Sequence, residues 1–208
     1  MAVLQSWFPT QIYHAPLLRA TAAGGRFRRE LERECRQYRE LDDAGRRWSR
    51  RNYPGGYTSY GSLDKLHRLG GGFGDLERHL QRHVRLFAAA LDWDLGGAGL
   101  VLTDCWINIM PHRTAHSLHL HPNSVISGTY YVTTPWNCPG LKFEDPRLSR
   151  LMAAPPRGES ARPANRVHIT YPAVAGTVLL FESWLRHEVA SNPAATERIS
   201  VSFNFGWA

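Results

Sequence analysis

Apolar residues recur at helical spacing in the first half of the chain and at alternate positions in the second, with the change near Leu100. Between Gly25 and Arg47 the stripe is Leu31, Cys35, Tyr38 and Leu41; between Phe73 and Leu95 it is Leu76, Leu80, Val84, Phe87 and Leu91. The spacing predicts two amphipathic helices, each burying one face. Ahead of them, Trp7-Phe-Pro-Thr-Gln-Ile-Tyr13 predicts a short strand or extended lead-in. Between them, Asn52-Tyr-Pro-Gly-Gly-Tyr-Thr-Ser-Tyr-Gly61 cannot continue a helix and reads as a structured loop, its tyrosines either packed on the body or lining an entrance.

Beyond Leu100 the period of two predicts about seven short strands, near 101–110, 127–133, 141–143, 167–171, 177–181, 187–190 and 198–205, separated by Pro, Gly and Asn turns. Strands in such a row predict a mainly β fold, a sandwich or jelly roll, with the two helices flanking one sheet. The last strand is the clearest. Ile199, Val201, Phe203 and Phe205 alternate with Arg198, Ser200, Ser202 and Asn204, so one face packs on apolar material and the other faces a polar space. A single domain over 1–208 is expected, helical over about 1–99 and β over about 100–208, with Ala153 to Pro163 as a flexible insertion.

Composition narrows the function. A 208-residue chain with 43% hydrophobic residues can bury one substantial core. The net charge of +7 is nearly all arginine, since Lys65 and Lys142 are the two lysines. Between Arg26 and Arg51 it is interleaved with Glu30, Glu32, Glu34, Glu40, Asp42 and Asp43, the mark of a solvated helix face, so nucleic acid is not an expected partner. No apolar run approaches the length of a membrane span and no leader pattern stands at the N-terminus, so a cytoplasmic protein is expected. Cys35, Cys105 and Cys138 form no Cys-x-x-Cys unit and suggest neither disulfides nor a cysteine zinc site.

The chemistry concentrates in three places. His119 and His121 stand two apart in an extended segment, so both rings share a face and can reach one ion; His187 is a third imidazole downstream; Arg198 follows eleven positions later. Imidazoles alone do not choose among iron, zinc and copper. A His-x-His pair by itself is more often surface histidine, and the third histidine with the arginine is what favours a metal. Arg198 could pair with Glu197 or Glu188, yet it shares its strand face with Ser200, Ser202 and Asn204, as carboxylate recognition requires. Tyr131 and Asn108 are candidate additional hydrogen-bond donors. His112 and His116 read as loop histidines at the entrance, and His79 with His83 imitates a metal pair on a helix without a third partner.

These residues resemble the iron(II)/2-oxoglutarate oxygenases of double-stranded β-helix (jelly roll, cupin-like) fold, and within them a bacterial 2OG-Fe(II) oxygenase group. The resemblance runs through Trp7-Phe-Pro-Thr, Tyr53-Pro-Gly-Gly-Tyr, Trp106-Ile-Asn, the block His119 to Val132, Phe143-Glu-Asp-Pro-Arg147, Phe181 to His187 and Arg198 to Asn204. It implies Fe(II), 2-oxoglutarate as co-substrate and O2, with hydroxylation of a small-molecule or peptide substrate and release of succinate and CO2. It carries His119 and His187 over as ligands and Arg198, with Ser200, as the clamp on the far carboxylate. The departure is at position 121, where histidine replaces the superfamily's acid. Either His121 completes a three-histidine site, or it is the first ligand with Asn123 in the acid position, or Asp104 or Glu144 supplies a carboxylate. Three imidazoles are also similar to the site of three-His dioxygenases that act without 2-oxoglutarate, and a non-catalytic metal-binding jelly roll is a further alternative.

Overall fold

A computed structural model describes residues 2–208. Three helices, α1 (Ala22–Leu41), α2 (Asp43–Asn52) and α3 (Gly71–Ala90), pack on a β structure of ten strands. These are β1 (Ile12–Pro16), β2 (Tyr57–Thr58), β3 (Leu100–Met110), β4 (His116–His119), β5 (Ile126–Thr133), β6 (Leu141–Glu144), β7 (His168–Tyr171), β8 (Thr177–Glu182), β9 (His187–Val189) and β10 (Arg198–Trp207). A six-stranded sheet has the order β1-β8-β5-β10-β3-β2 and a four-stranded sheet the order β4-β9-β6-β7, every pairing between them antiparallel. The protein is thus mainly β, a double-stranded β-helix with helices on one side.

Alternation along β10 explains the layering. Ile199, Val201, Phe203 and Phe205 bury completely against Leu31 of α1 and Leu76, Leu80 and Phe87 of α3, in the larger of two apolar clusters. Each such side chain stabilises the fold by roughly 1.5–3 kcal/mol. The smaller cluster, with Met110, Tyr131, Phe143, Leu179 and Phe181, lies between the two sheets and leaves the rest of that space to polar side chains. Gly128 belongs to this construction: a Cβ there would collide with the Phe203 ring and the Leu179 carbonyl.

The helical stripe near 25–47 is divided. Asp42 leaves the helical region at φ −90°, ψ 78°, caps α2 through the Gly45 N–H at 2.8 Å and accepts from the Tyr57 hydroxyl at 2.9 Å. A buried carboxylate with three partners, Ser62 being the other, outweighs helix continuation. The expected lead-in strand lies later, as β1 at the outer edge of the large sheet against β8, and the additional strands are the two-residue β2 and β4, which carries His119. Among the described residues no helix is long and apolar enough to cross a membrane.

Candidate metal centre and anion pocket

Antiparallel register brings the histidines together. His119 on β4 stands directly opposite His187 on β9, so their side chains leave the same face of the small sheet. His121 follows two residues later on that face, held by its backbone N–H on the Ser183 carbonyl at 2.9 Å. Ring centroids are 4.3 Å apart for His119 and His187, 5.1 Å for His121 and His187, and 5.3 Å for His119 and His121. One ligand atom from each lies within 4.8 Å of the others.

All three rings are aimed by the same device. Nδ1 of His119 lies 2.7 Å from the Ser117 carbonyl, and Nδ1 of His187 lies 2.9 Å from the Leu185 carbonyl. His121 Nδ1 lies 2.7 Å from Asn204 Oδ1 and 2.8 Å from Ser127 Oγ. A carbonyl or amide oxygen accepts only, so each ring carries a proton on Nδ1 and, in its neutral form, presents the Nε2 lone pair to a metal. Three imidazole nitrogen donors so aimed fit iron(II).

Neither candidate carboxylate joins them. Asp104 is held by Lys65 at 3.1 Å and the Thr103 hydroxyl at 2.8 Å, and Glu144 pairs with Arg186 at 2.8 Å. Asn123 lines the outer cleft beside the rings. Burial would raise the Asp104 pKa, but the Thr103 hydroxyl and the Lys65 ammonium outweigh it and hold the carboxyl below its ordinary range.

The inner face of the large sheet is a ladder of polar rungs. Ser200 lies opposite both Asn108 of β3 and Tyr131 of β5, which places three of the sequence-predicted residues side by side; Ser202 lies opposite Trp106 and Thr129, and Asn204 opposite Asp104 and Ser127. Asn108 donates to Ser202 at 2.9 Å. At the β10 start, Arg198 is 2% exposed, donates to Ser200 Oγ at 3.2 Å and has its guanidinium 5.0 Å from the centre of the Tyr131 ring. Neither predicted acid reaches it: Glu197 pairs with Arg36 and Arg39, and Glu188 with Lys142. Arg198 Nε and the Tyr131 and Tyr53 hydroxyls are buried without hydrogen-bond partners. A buried cation without an anion costs several kcal/mol, and Arg198 with the unpartnered donors near it can receive a carboxylate.

Tyr53 and His116, which the sequence offered as lining an entrance, lie deeper, beside the anion pocket. Tyr53 folds inward over Gly55, at φ +83°, and Gly56, where a Cβ would strike its ring. It stacks on His116 with centroids 4.3 Å apart, while the nearby Thr114 hydroxyl is turned to the Pro111 carbonyl. His116 starts β4 rather than lying in a loop, whereas His112 is exposed. The signal was the Pro-Gly-Gly following Tyr53, which permits the fold-back. Tyr60 and Trp48, with Trp106, wall an outer cleft of about 430 Å³ that opens onto the histidines. His83 is structural, bonded to the Tyr13 hydroxyl and the Leu17 carbonyl.

Burial, with the charge of neighbouring rings, pushes His187 down to about 3; burial and then Arg198 push His116 to about 3, and burial lowers His121. The unfolded chain protonates these rings near the ordinary histidine value of about 6.5, and the folded one does not. The contribution of His116 and His187 to stability is therefore complete above about 6.5 and is withdrawn as pH falls toward 3, by on the order of 1.4 kcal/mol per pH unit for each of the two. Thermal unfolding of the metal-free protein should show a midpoint that is flat from about pH 8 to 6.5 and falls below it; a midpoint that rises on acidification contradicts the buried neutral rings.

Residues 104–204 match the family described as "Putative 2OG-Fe(II) oxygenase", an interval that runs from Asp104 through all three histidines and Arg198 to Asn204. No curated protein matches the chain. Among solved structures, a Pseudomonas putida prolyl-4-hydroxylase is similar at 16% identity and TM-score 0.61, over 95% of this chain and 92% of that one. AviO1 from Streptomyces viridochromogenes is similar at 16% identity and TM-score 0.60, over 95% and 90%. HygX from Streptomyces hygroscopicus, solved with nickel, 2-oxoglutarate and hygromycin B, is similar at 16% and 0.57, over 95% and 83%. At such identities these likenesses establish a shared fold.

Proposed function

We propose, from the match of residues 104–204 to the family described as "Putative 2OG-Fe(II) oxygenase", that the protein hydroxylates an organic substrate with conversion of 2-oxoglutarate to succinate and CO2. The observation that carries the reading is Arg198: a buried guanidinium without an acid, surrounded by unpartnered donors, on the same inner face as three convergent imidazoles. His119, His121 and His187 would hold iron(II), and Arg198, Ser200 and the Tyr131 hydroxyl would grip the distal carboxylate of 2-oxoglutarate. Iron and 2-oxoglutarate together supply the means of activating O2. The chain's own part is to keep His121 and His187 neutral and all three rings aimed, to neutralise the co-substrate's far charge, and to exclude water with the Phe143, Phe181 and Met110 side chains.

The outer cleft supports a substrate class. Of the chain's 25 lysines and arginines none lines it; its walls are the aromatic faces of Trp48, Tyr60 and Trp106, with Asn52, Asn108 and the single carboxylate Asp104. Such a lining suits a neutral or cationic ring-bearing molecule and disfavours phosphates and carboxylates.

The expected result is succinate formed from 2-oxoglutarate by the iron(II)-loaded protein in air, slowly without substrate and abolished by chelation. The all-histidine donor set favours one other reading, a dioxygenase that acts directly on a thiol or carboxylate substrate held by Arg198. Oxygen uptake that needs such a compound and no 2-oxoglutarate supports that reading; iron binding with no oxygen uptake at all makes the protein a binding module.

Removing the orphan hydroxyls separates ligand contacts from structure. Tyr131→Phe and Tyr53→Phe should leave the ligand-free protein as stable as wild type or more so, because neither hydroxyl has a partner to lose. Tyr131→Phe should weaken 2-oxoglutarate by about 1.5–3 kcal/mol, the range for a hydrogen bond to a charged group. Calorimetric titration of the iron-loaded protein measures the second effect, and an unchanged affinity removes Tyr131 from the pocket.

A further inference from the structure

His119 and His187 are aimed by backbone carbonyls, which have one orientation, whereas His121 is aimed by a side-chain amide, which has two. Turning Asn204 by half a rotation would present N–H to His121 Nδ1, favour the tautomer protonated on Nε2, and remove that ring from a metal. Something must hold the amide. Its Nδ2 faces Asp104 Oδ2 at 3.4 Å, across the rung in which Asn204 lies opposite Asp104 on one side and Ser127 on the other. A carboxylate only accepts hydrogen bonds, so the nitrogen side of the amide must face Asp104 and the oxygen side His121. Lys65 and Thr103 fix Asp104 in turn, while the Ser127 hydroxyl, within reach of His121, Asn204 and Ser183, rotates to suit its neighbours and imposes no direction.

We propose that Asp104, acting through Asn204, is the positioning residue for His121: it sets the tautomer that leaves Nε2 free for a metal. The proposal rests on the reading that the three histidines hold a metal. It gives a reason for the departure at position 121, where a charged ligand is exchanged for a neutral one backed by a carboxylate two hydrogen bonds away.

Cobalt(II) titration of the metal-free protein, followed by d–d absorption, tests this with no turnover required. Asp104→Asn should weaken cobalt binding by about 10- to 100-fold, the effect of losing an outer-sphere partner. Asp104→Asn combined with Asn204→Asp should restore it, because a carboxylate at 204 accepts from Nδ1–H with either oxygen. Two-bond 1H–15N correlation spectra of the metal-free protein should show His121 protonated on Nδ1 in wild type and in the double variant, and partly on Nε2 in Asp104→Asn. A merely structural Asp104 would lower the melting temperature without changing the tautomer, and the double variant would not recover. Wild-type cobalt affinity and tautomer in Asp104→Asn overturn the proposal, as does a weakened single variant that the double variant fails to rescue. Absence of cobalt uptake by wild type overturns the metal reading itself.

Discussion

His187→Ala and His119→Ala should each lose iron(II) by more than about 100-fold, beyond the effect of any outer-sphere partner. Each removes one of three donors, and the two that remain cannot enclose the ion. His187 is the more informative position. It is 4% exposed, packs edge-on against Phe181 with centroids 4.6 Å apart, and has Nδ1 committed to the Leu185 carbonyl, so its only free polar atom is Nε2. His119 is exposed, and its loss should leave folding unchanged. Equilibrium dialysis of iron(II) against both variants under nitrogen, with melting of the metal-free proteins as control, reads the effect. Full occupancy in both variants would remove the histidines from the metal site.

The second large effect belongs to Arg198. Arg198→Lys and Arg198→Met should weaken 2-oxoglutarate by about 2 to 5 kcal/mol, the cost of breaking a buried charge pair, while iron(II) stays bound. Lysine retains the charge and loses the planar fork that can meet a carboxylate at two points. Arg198→Met should also make the ligand-free protein equally or more stable, because it replaces a buried cation lacking an acid by an apolar chain of similar volume. An arginine that served structure alone would give the opposite pair of results, unchanged co-substrate affinity and a lower melting temperature.

Much of this site was legible in the sequence because strands alternate. The period of two placed Arg198, Ser200, Ser202 and Asn204 on one face and His119 with His121 on another, and the fold keeps both sets together. Family resemblance supplied what spacing could not, that the two faces belong to one pocket. Contributions that depend on distant pairing were hidden. Asp104 reads as a free carboxylate until Lys65, thirty-nine residues earlier, is seen beside it. Asn204 reads as one more polar residue until β10 is paired with β3 and β5. β4 escaped the strand pattern because its four residues, His-Ser-Leu-His, are half exposed and it forms only an edge of the small sheet. The break of the first helix at Asp42 follows from a cap whose further partners, Tyr57 and Ser62, come from β2 and the turn after it. Tyr53 carried a local sign in its Pro-Gly-Gly, but its stacking on His116 is a contact across the molecule.

The central claim is that one pocket holds iron(II) on three imidazoles and 2-oxoglutarate between that iron and Arg198. Anaerobic addition of 2-oxoglutarate to the iron(II)-loaded protein tests it most directly, through the weak visible charge-transfer absorption of a chelated keto acid. The account predicts a band that saturates at one equivalent in wild type and that needs a much higher concentration in Arg198→Met with iron still bound. A wild-type protein that retains iron(II) and shows no band at any 2-oxoglutarate concentration contradicts it.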